Sequence, residues 1–285
     1  MGLAVIGHPV GHSLSPVMHN AALAEMAQSY PRFATWRYYA FDIEAGDLAA
    51  ALDRMGKLGF VGINLTVPHK VAAVGLVSVL DVRARDAGAV NTLLRDGDSW
   101  KGFNTDGYGL ATGIRLELGI DLRNAPVVLL GAGGAARGAA VECLRAGCAG
   151  LWIVNRSRAN RDALLAHLAP LAGKVPIRTL DADGGAEGLA KGAIVINATS
   201  VGLLPGEPAP ADLSRFPGIA AVYDMIYNPP NTQLLAQAKA LGLPCANGLG
   251  MLVYQGAKAF EIWTELPAPE TAPIMREAAA KSLGY

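Results

Sequence analysis

Apolar and polar positions follow two different periods along the first hundred residues. Stretches with apolar residues on one helical face predict helices over Ser15–Ala27 and Ala45–Met55. Four short runs bounded by glycine, proline or polar clusters predict strands, at Leu3–Ile6, Trp36–Phe41, Gly62–Val67 and Ala89–Leu94. Strands that alternate with helices predict an α/β fold with a mainly parallel sheet.

The same alternation restarts after a boundary that we place close to Thr105. We therefore predict two domains, 1–105 and 106–250, with the last segment, 251–285, packing back on the first domain. The second domain is predicted to contain helices at Gly107–Leu118 and Ala135–Ala146, and strands at Val127–Leu130, Leu151–Val154, Ala193–Asn197 and Val222–Tyr227. Two final helices are predicted at Met251–Thr264 and Thr271–Ser282.

Composition narrows the class of protein. The chain has 285 residues, of which 52% are hydrophobic and 17% charged, so a sizeable core can form. Its 24 basic and 24 acidic residues cancel, which argues against a nucleic-acid partner. No apolar run approaches the ~20 residues of a membrane span. Three cysteines without a CxxC pair and an N-terminus unlike a signal peptide favour the cytoplasm. The five histidines lack metal-ligand spacing, so no metal is expected.

A glycine-rich loop follows the strand Val127–Leu130 and precedes a helix. Gly131, Gly133 and Ala136 match the pattern G-x-G-x-x-G/A, in which small residues permit a tight turn and let the backbone approach a pyrophosphate. A plain turn is the structural alternative, but the flanking strand and helix favour a dinucleotide site. The remaining loop candidates are Ala132, Gly134, Ala135 and Arg137.

The end of the next strand indicates which dinucleotide is bound. An NAD site typically has an acidic residue about 20 residues past the glycines. Here the chain reads Asn155, Arg156, Ser157 and Arg158 instead. Arginines are also common at solvated helix starts. The missing acid and the paired guanidinium groups together favour the 2′-phosphate of NADP.

Several strand ends in the first domain carry polar side chains. Ser13 and Ser15 stand two residues apart at a helix start and can hold a carboxylate, although either serine alone is also an ordinary N-cap. Thr66 and Lys70 follow one strand, at the edge where ligands gather in parallel sheets. Asp106 opens the helix at the domain boundary, where it can act as an N-cap.

Nine motifs in order give the chain a resemblance to a known family: G-x-P-x-x-H-S-x-S-P, N-x-T-V-P-x-K, A-V-N-T, N-T-D-G, G-A-G-G-A-x-R-G, N-R-[ST], N-A-T-S-x-G, Y-D-M-x-Y-x-P and G-x-x-M-L-x-x-Q. This series resembles the shikimate dehydrogenase family from Gly7 to about Gln255. The resemblance implies an N-terminal α/β substrate domain and a Rossmann-type NADP-binding domain. It also implies reversible reduction of 3-dehydroshikimate to shikimate in chorismate and aromatic amino acid biosynthesis.

The resemblance also assigns roles to individual residues. Lys70 matches the catalytic lysine and Asp106 its partner, whereas Ser13 and Ser15 match the residues that hold the substrate carboxylate. The substrate-binding positions are matched further by Thr66, Asn91 and Gln255, near ring hydroxyls, and by Tyr227, near the carboxylate. The cofactor site is matched by the loop Gly131–Gly138, by Asn155, Arg156 and Ser157, and by Thr199, the strand residue Met225 and Gly248.

Alternatives to this function remain open. Leu14 stands where the family often has lysine, so the subfamily is undecided between shikimate, quinate and aminoshikimate dehydrogenases. A non-catalytic ligand-sensing homologue is a further alternative, since a fold does not by itself imply an activity. A homodimer is the one assembly that we consider.

Overall fold

The computed structural model describes residues 1–180, 188–204 and 206–284. Within them the strands are β1 (Gly2–Gly7), β2 (Arg37–Asp42), β3 (Phe60–Leu65), β4 (Val79–Leu80), β5 (Thr92–Asp96), β6 (Ser99–Phe103), β7 (Pro126–Leu130), β8 (Gly150–Val154), β9 (Ile177–Leu180), β10 (Ile194–Asn197), β11 (Ala221–Asp224) and β12 (Cys245–Ala246). The α-helices are α1 (Ser15–Ser29), α2 (Leu48–Lys57), α3 (His69–Ala72), α4 (Val82–Ala87), α5 (Asp106–Leu118), α6 (Gly134–Ala146), α7 (Arg158–Leu168), α8 (Gln233–Ala240), α9 (Leu249–Thr264) and α10 (Ala268–Leu283).

The chain divides into two compact units. Unit 1 comprises Met1–Gly109 and Val253–Tyr285, and unit 2 comprises Leu110–Leu252. Each unit contains one six-stranded sheet. These two α/β units, together with the C-terminal helices, confirm the predicted fold class.

The sheet of unit 1 has the strand order β2-β1-β3-β5-β6-β4. The pairs β1–β2, β1–β3 and β4–β6 are parallel, whereas β3–β5 and β5–β6 are antiparallel. One face covers a core of aliphatic and aromatic side chains that includes Leu52, Ile63 and Trp100. Helix α10 packs on α1, which brings the C-terminal segment into this unit.

The sheet of unit 2 is parallel throughout, in the order β12-β11-β10-β7-β8-β9. Side chains of β7 alternate between its two faces: Val127 and Leu129 enter one core cluster, Val128 and Leu130 the other. Burial of both faces explains why this strand reads as an uninterrupted apolar run. From β7 the chain winds in one direction to β9 and then in the other to β12. In such doubly wound sheets, ligands bind at the carboxyl ends of the strands where the winding reverses.

Several element boundaries differ from the sequence predictions. The hairpin of β5 and β6 was not predicted, although its two-residue turn is Gly97-Asp98, and glycine with positive φ, here +58°, is typical of the first turn position. Strands β9 and β12 and helix α8 were also missed. Strand β11 ends at Asp224 because the Asp224 carboxylate takes the backbone N–H of Ile226, at 3.1 Å, away from the ladder. Met225 and Tyr227 therefore lie beyond the strand, and the assignment of Met225 as a strand residue was wrong.

Candidate active site

The ion pair between Lys70 and Asp106 is the centre of the polar cluster in unit 1. Lys70 lies in α3, just after β3, and its Nζ donates to Asp106 Oδ2 at 2.7 Å. Their side chains are 31% and 22% exposed, so a ligand can reach both. Asp106 is the first helical residue of α5 rather than its cap, and its two carboxylate oxygens accept from Lys70 and Asn91. Its carboxylate is thus available for Lys70.

Asn91 holds the second carboxylate oxygen of Asp106. Its Nδ2 donates to Asp106 Oδ1 at 2.8 Å and to Thr105 Oγ1 at 2.9 Å, and Gln255 Oε1 is a longer contact at 3.4 Å. Its Oδ1 accepts from the Thr105 backbone N–H at 2.8 Å. The fold therefore brings together four residues that are far apart in sequence. Lys70 follows β3, Asn91 precedes β5, Asp106 begins α5 and Gln255 lies in α9.

The other predicted substrate residues occupy neighbouring or separate positions. Ser13 Oγ accepts from the Ser15 backbone N–H at 3.3 Å, whereas Leu14 is the N-cap of α1 and provides no side-chain cap. The capping interpretation of Ser15 was wrong, since Ser15 is the first helical residue. Thr66 is half-buried directly after β3. Tyr227 belongs to unit 2, where burial raises the pKa of its hydroxyl.

A cavity of about 510 Å³ opens in unit 2 at the carboxyl ends of β7, β8 and β10. Gly131 has φ +115°, and a side chain there would place its Cβ 3.0 Å from the carbonyl oxygen of Ala198. This close approach requires glycine. The cavity is lined by the predicted residues Gly131, Ala132, Gly133, Gly134, Ala135, Asn155, Arg156 and Thr199, and also by Ser200, Val201 and Leu203, which the sequence did not indicate.

Helix α6 begins on this cavity at Gly134 with Gly133 as its cap residue. The unpaired backbone N–H groups and positive dipole end of such a helix favour phosphate. Arg156 adds an exposed guanidinium to the same cavity wall. Backbone donors and a cation on one wall fit the phosphates of a dinucleotide.

The remaining cofactor candidates lie outside the lining of this cavity. Ala136 is buried in the core beneath α6. Ser157 caps α7 by accepting from the Asn160 backbone N–H at 3.3 Å, and Arg158 begins that helix at the surface. Arg137 is half-buried in α6. Gly248 lies against Met225, because a Cβ at residue 248 would fall 2.0 Å from the Met225 carbonyl oxygen.

A buried carboxylate supports one wall of the cavity. Asp224 Oδ1 accepts from Asn197 Nδ2 at 2.9 Å, and Asn197 Oδ1 accepts from the Thr199 hydroxyl at 2.8 Å. Burial raises the Asp224 pKa, and hydrogen bonds from Thr232, Ile226 and Asn197 oppose that rise. Neither Asp224 nor Asn197 was predicted to have a role, although both stand at strand ends within polar motifs.

The residues that the structure describes contain neither a metal-binding cluster nor a membrane-spanning helix. No group of three or more His, Cys, Asp or Glu side chains is arranged there to hold a metal ion. Across the same residues, no helix is both long enough and apolar enough to cross a bilayer.

Comparisons with known proteins agree along the whole chain. Residues 5–93 match the family model of the shikimate dehydrogenase substrate binding domain, and residues 248–280 match that of the shikimate 5'-dehydrogenase C-terminal domain. The chain is 42% identical to the shikimate dehydrogenase (NADP(+)) of Moorella thermoacetica, over 99% of this chain and 95% of that protein.

Solved structures show the same backbone with more than one activity. Shikimate 5-dehydrogenase from Thermus thermophilus, in complex with NADP(H) and shikimate, is 36% identical with a TM-score of 0.85, over 99% of this chain and 100% of that one. The ligand-free 5-ketofructose reductase of a Gluconobacter species is 32% identical with a TM-score of 0.86, over 99% and 98%. The backbone therefore does not distinguish these substrates.

Proposed function

Because the chain belongs to the shikimate dehydrogenase family, we propose that it catalyses the NADP-dependent, reversible reduction of 3-dehydroshikimate to shikimate. The observation that carries this proposal is the 2.7 Å pair of Lys70 and Asp106, which both remain reachable from outside. Unit 1 would bind the substrate and unit 2 the cofactor. The reaction belongs to chorismate and aromatic amino acid biosynthesis.

Lys70 is proposed to polarise and protonate the substrate oxygen. An ammonium group has three N–H donors, of which Asp106 takes one. When the carbonyl is reduced, negative charge develops on its oxygen, and a fixed cation beside that oxygen stabilises the transition state. Lys70 then gives a proton to the oxygen, and in the reverse direction takes it back. Asp106 holds the ammonium in place throughout.

NADPH, when bound, supplies the hydride that reduces the carbonyl carbon. The residues proposed to hold it are the loop Gly131–Arg137 with Asn155–Arg158, and also Thr199, Met225 and Gly248. The cavity of about 510 Å³ and the start of α6 support this assignment. Arg156 is the residue of this set best located to meet a 2′-phosphate.

The substrate carboxylate is proposed to bind Ser13 and Ser15, with Tyr227 as a third contact. Thr66 and Gln255 would bond ring hydroxyls. Asn91 is only 2% exposed and already bonds Asp106 and Gln255. We therefore assign it to the hydroxyl subsite mainly as the residue that holds these two groups.

The test is a comparison of substrates and cofactors with the purified chain. Formation of NADPH or NADH is followed with shikimate and quinate, and the reverse reaction with 5-ketofructose. We expect the highest kcat/KM for shikimate with NADP. A clear preference for quinate, 5-ketofructose or NAD would overturn the specific assignment. Absence of turnover with every pair would favour a ligand-sensing homologue.

Assembly and location complete the proposal. We propose that the protein acts in the cytoplasm, which is supported by its free cysteines Cys143, Cys148 and Cys245. A homodimer is the assembly to test first, by light scattering of the eluting protein. A mass of one chain at micromolar concentration would reject it.

A further inference from the structure

Three buried polar side chains in unit 1 have no role in the reaction described so far. Tyr38, Asn64 and Thr92 are 3%, 6% and 0% exposed. The Tyr38 hydroxyl donates to Asn64 Oδ1 at 2.7 Å, and Asn64 Nδ2 donates to Thr92 Oγ1 at 3.0 Å. The Thr92 hydroxyl donates to Asn91 Oδ1 at 2.9 Å. These bonds form an unbroken series that leads to Asp106.

The direction of every bond in this series follows from the carboxylate at its end. Ionised Asp106 only accepts, so Asn91 has to present its Nδ2 to it and its Oδ1 to Thr92. Thr92 has one hydrogen, and because it gives that hydrogen to Asn91 it has to accept from Asn64. Asn64 then presents its oxygen to Tyr38, which has to donate. Reversing one amide would set two donors or two acceptors against each other.

The Tyr38 end of the series is held by aromatic packing. The ring stacks on His19 with 4.3 Å between ring centroids and 4° between planes. His19 is fully buried, which lowers its pKa to about 3, so the partner ring stays neutral near pH 7. Burial raises the pKa of the Tyr38 hydroxyl, and the Ser15 side chain, one of the proposed carboxylate-binding serines, opposes that rise. The series itself runs from the Tyr38 hydroxyl to the Lys70–Asp106 pair.

We propose that Tyr38 is a positioning residue that acts through Asn64 and Thr92 to fix the orientation of Asn91, and thereby of Asp106 and Lys70. The inference rests on the proposed function for its kinetic consequence. Its physical basis is that buried donors and acceptors are costly to leave unpaired, so a fully paired series permits one arrangement. Loss of an early link removes the constraint on the Asn64 amide and on the Thr92 hydroxyl. Asn91 Oδ1 then keeps the Thr105 backbone N–H as its fixed donor, and Asn91 and the Asp106 carboxylate are held less tightly.

The kinetic test uses Tyr38→Phe and Thr92→Val, which remove one hydroxyl each and preserve shape. We expect kcat to fall about fivefold and about tenfold, with KM for shikimate within about twofold, because misplaced catalytic groups mainly affect the transition state. Thr92→Ser restores the hydroxyl and should recover most of kcat. The double variant should be no slower than Thr92→Val alone, because the series is already broken.

Thr264→Val is the matched control for loss of a buried hydroxyl. Thr264 lies in unit 1, is 3% exposed, and donates to the Phe260 carbonyl at 2.7 Å. We expect it to lower Tm as much as Thr92→Val without changing kcat. Equal kcat in all three hydroxyl deletions, or multiplicative losses in the double variant, would reduce Tyr38 to a packing residue and overturn the inference.

A second measurement separates this inference from the proposed reaction. In protein labelled with ¹⁵N-asparagine, Tyr38→Phe should shift the side-chain amide signal of Asn91, which Tyr38 reaches only through Asn64. The Asn64 Nδ2 donates both to Thr92 Oγ1 and, at 3.2 Å, to the Asn91 backbone carbonyl. Thr264→Val should leave that signal unchanged. If the wild-type chain does not oxidise shikimate, the proposed function fails, while a shift at Asn91 still supports the positioning network. An unshifted Asn91 signal refutes the network whatever the activity.

Discussion

The polar cluster of unit 1 and the cavity of unit 2 are built in opposite ways. In unit 1, chemistry is carried by side chains, and hydrogen bonds at 2.7 and 2.8 Å hold both carboxylate oxygens of Asp106. In unit 2, the cavity wall is mostly backbone and small side chains around Gly131, and its cation, Arg156, is exposed.

This difference follows from what each region is proposed to recognise. Proton transfer needs one side-chain nitrogen at a fixed position, which neighbouring side chains have to secure. Phosphate is bound well by several backbone N–H groups at a helix start, provided that no Cβ intervenes. Substitutions in unit 1 should therefore affect kcat, whereas those in unit 2 should affect cofactor KM.

The largest effect is expected for Lys70→Ala, which removes the cation and proton donor. We expect kcat to fall about 10³-fold with KM for shikimate nearly unchanged, since the lost interaction belongs to the transition state. Steady-state kinetics measure both constants. Lys57→Ala is the control, because Lys57 is an exposed partner of Asp53 in the same unit. If Lys70→Ala weakened shikimate binding as much as it lowered kcat, unit 1 would not differ from unit 2 in acting mainly on kcat.

The second effect concerns the backbone of the cavity. In Gly131→Ala the new Cβ would lie 3.0 Å from the Ala198 carbonyl oxygen. Because this contact is too close, the loop that lines the cavity has to move. We expect KM for NADP to rise about 30-fold, comparable to losing a charge-assisted hydrogen bond of about 2 kcal/mol.

Gly147→Ala is the control for backbone strain alone. Gly147 also has positive φ, +75°, but nothing lies within 4 Å of an added Cβ. This variant should lose about 1 kcal/mol of stability at unchanged KM for NADP. If Gly147→Ala raises KM for NADP as much, strain rather than the cavity wall explains the first result.

The third effect is a change in KM for NADP that does not extend to NAD. Arg156→Ala should raise KM for NADP about tenfold and leave KM for NAD unchanged, because one charge-assisted bond to the 2′-phosphate is lost. Arg158→Ala should have a smaller effect, since Arg158 does not line the cavity. Arg123→Ala, at an exposed position of unit 2, is the control. Parallel rises for NAD and NADP would exclude recognition of the 2′-phosphate by Arg156.

The smallest effect is expected for the exposed pair of His8 and Asp42 in unit 1, which contrasts with the less exposed pair of Lys70 and Asp106. Hydrogen bonding to Asp42 raises the pKa of His8, and the same bond lowers the pKa of Asp42. The stabilisation from His8 is full below about pH 6.5 and disappears as pH rises through its raised pKa. That from Asp42 is present above about pH 3.9 and disappears as pH falls through its lowered pKa.

Asp42→Asn should therefore lower Tm by at most about 2 °C, most clearly near pH 5. The difference from the wild type should shrink as pH rises through the raised pKa of His8, as thermal melts from pH 5 to pH 8.5 would show. Asp53→Asn breaks an exposed pair without histidine, so its difference should stay flat from pH 5 to pH 8.5. A flat difference for Asp42→Asn would exclude titration of His8 as the cause.

Strong local signals made much of this molecule predictable from its sequence. The apolar run Val127–Leu130 and the glycines that follow it predicted a strand, a turn and a helix, because both faces of that strand are buried and the turn needs φ +115° at Gly131. The nine ordered motifs indicated the family, and the comparisons confirmed it.

Only the tertiary structure decided which side chains meet. Asn91 contacts Gln255 across 164 positions of chain, and no local period encodes such a distance. The end of β11 at Asp224 depends on a side-chain bond to the backbone, which propensity does not contain. In the sequence, nothing distinguishes Tyr38, Asn64 and Thr92 from ordinary strand residues. Their hydrogen bonds form only because β2, β3 and β5 lie in one sheet of the folded chain. Local sequence fixes backbone preferences, whereas the pairing of buried polar groups depends on long-range packing that excludes water around them.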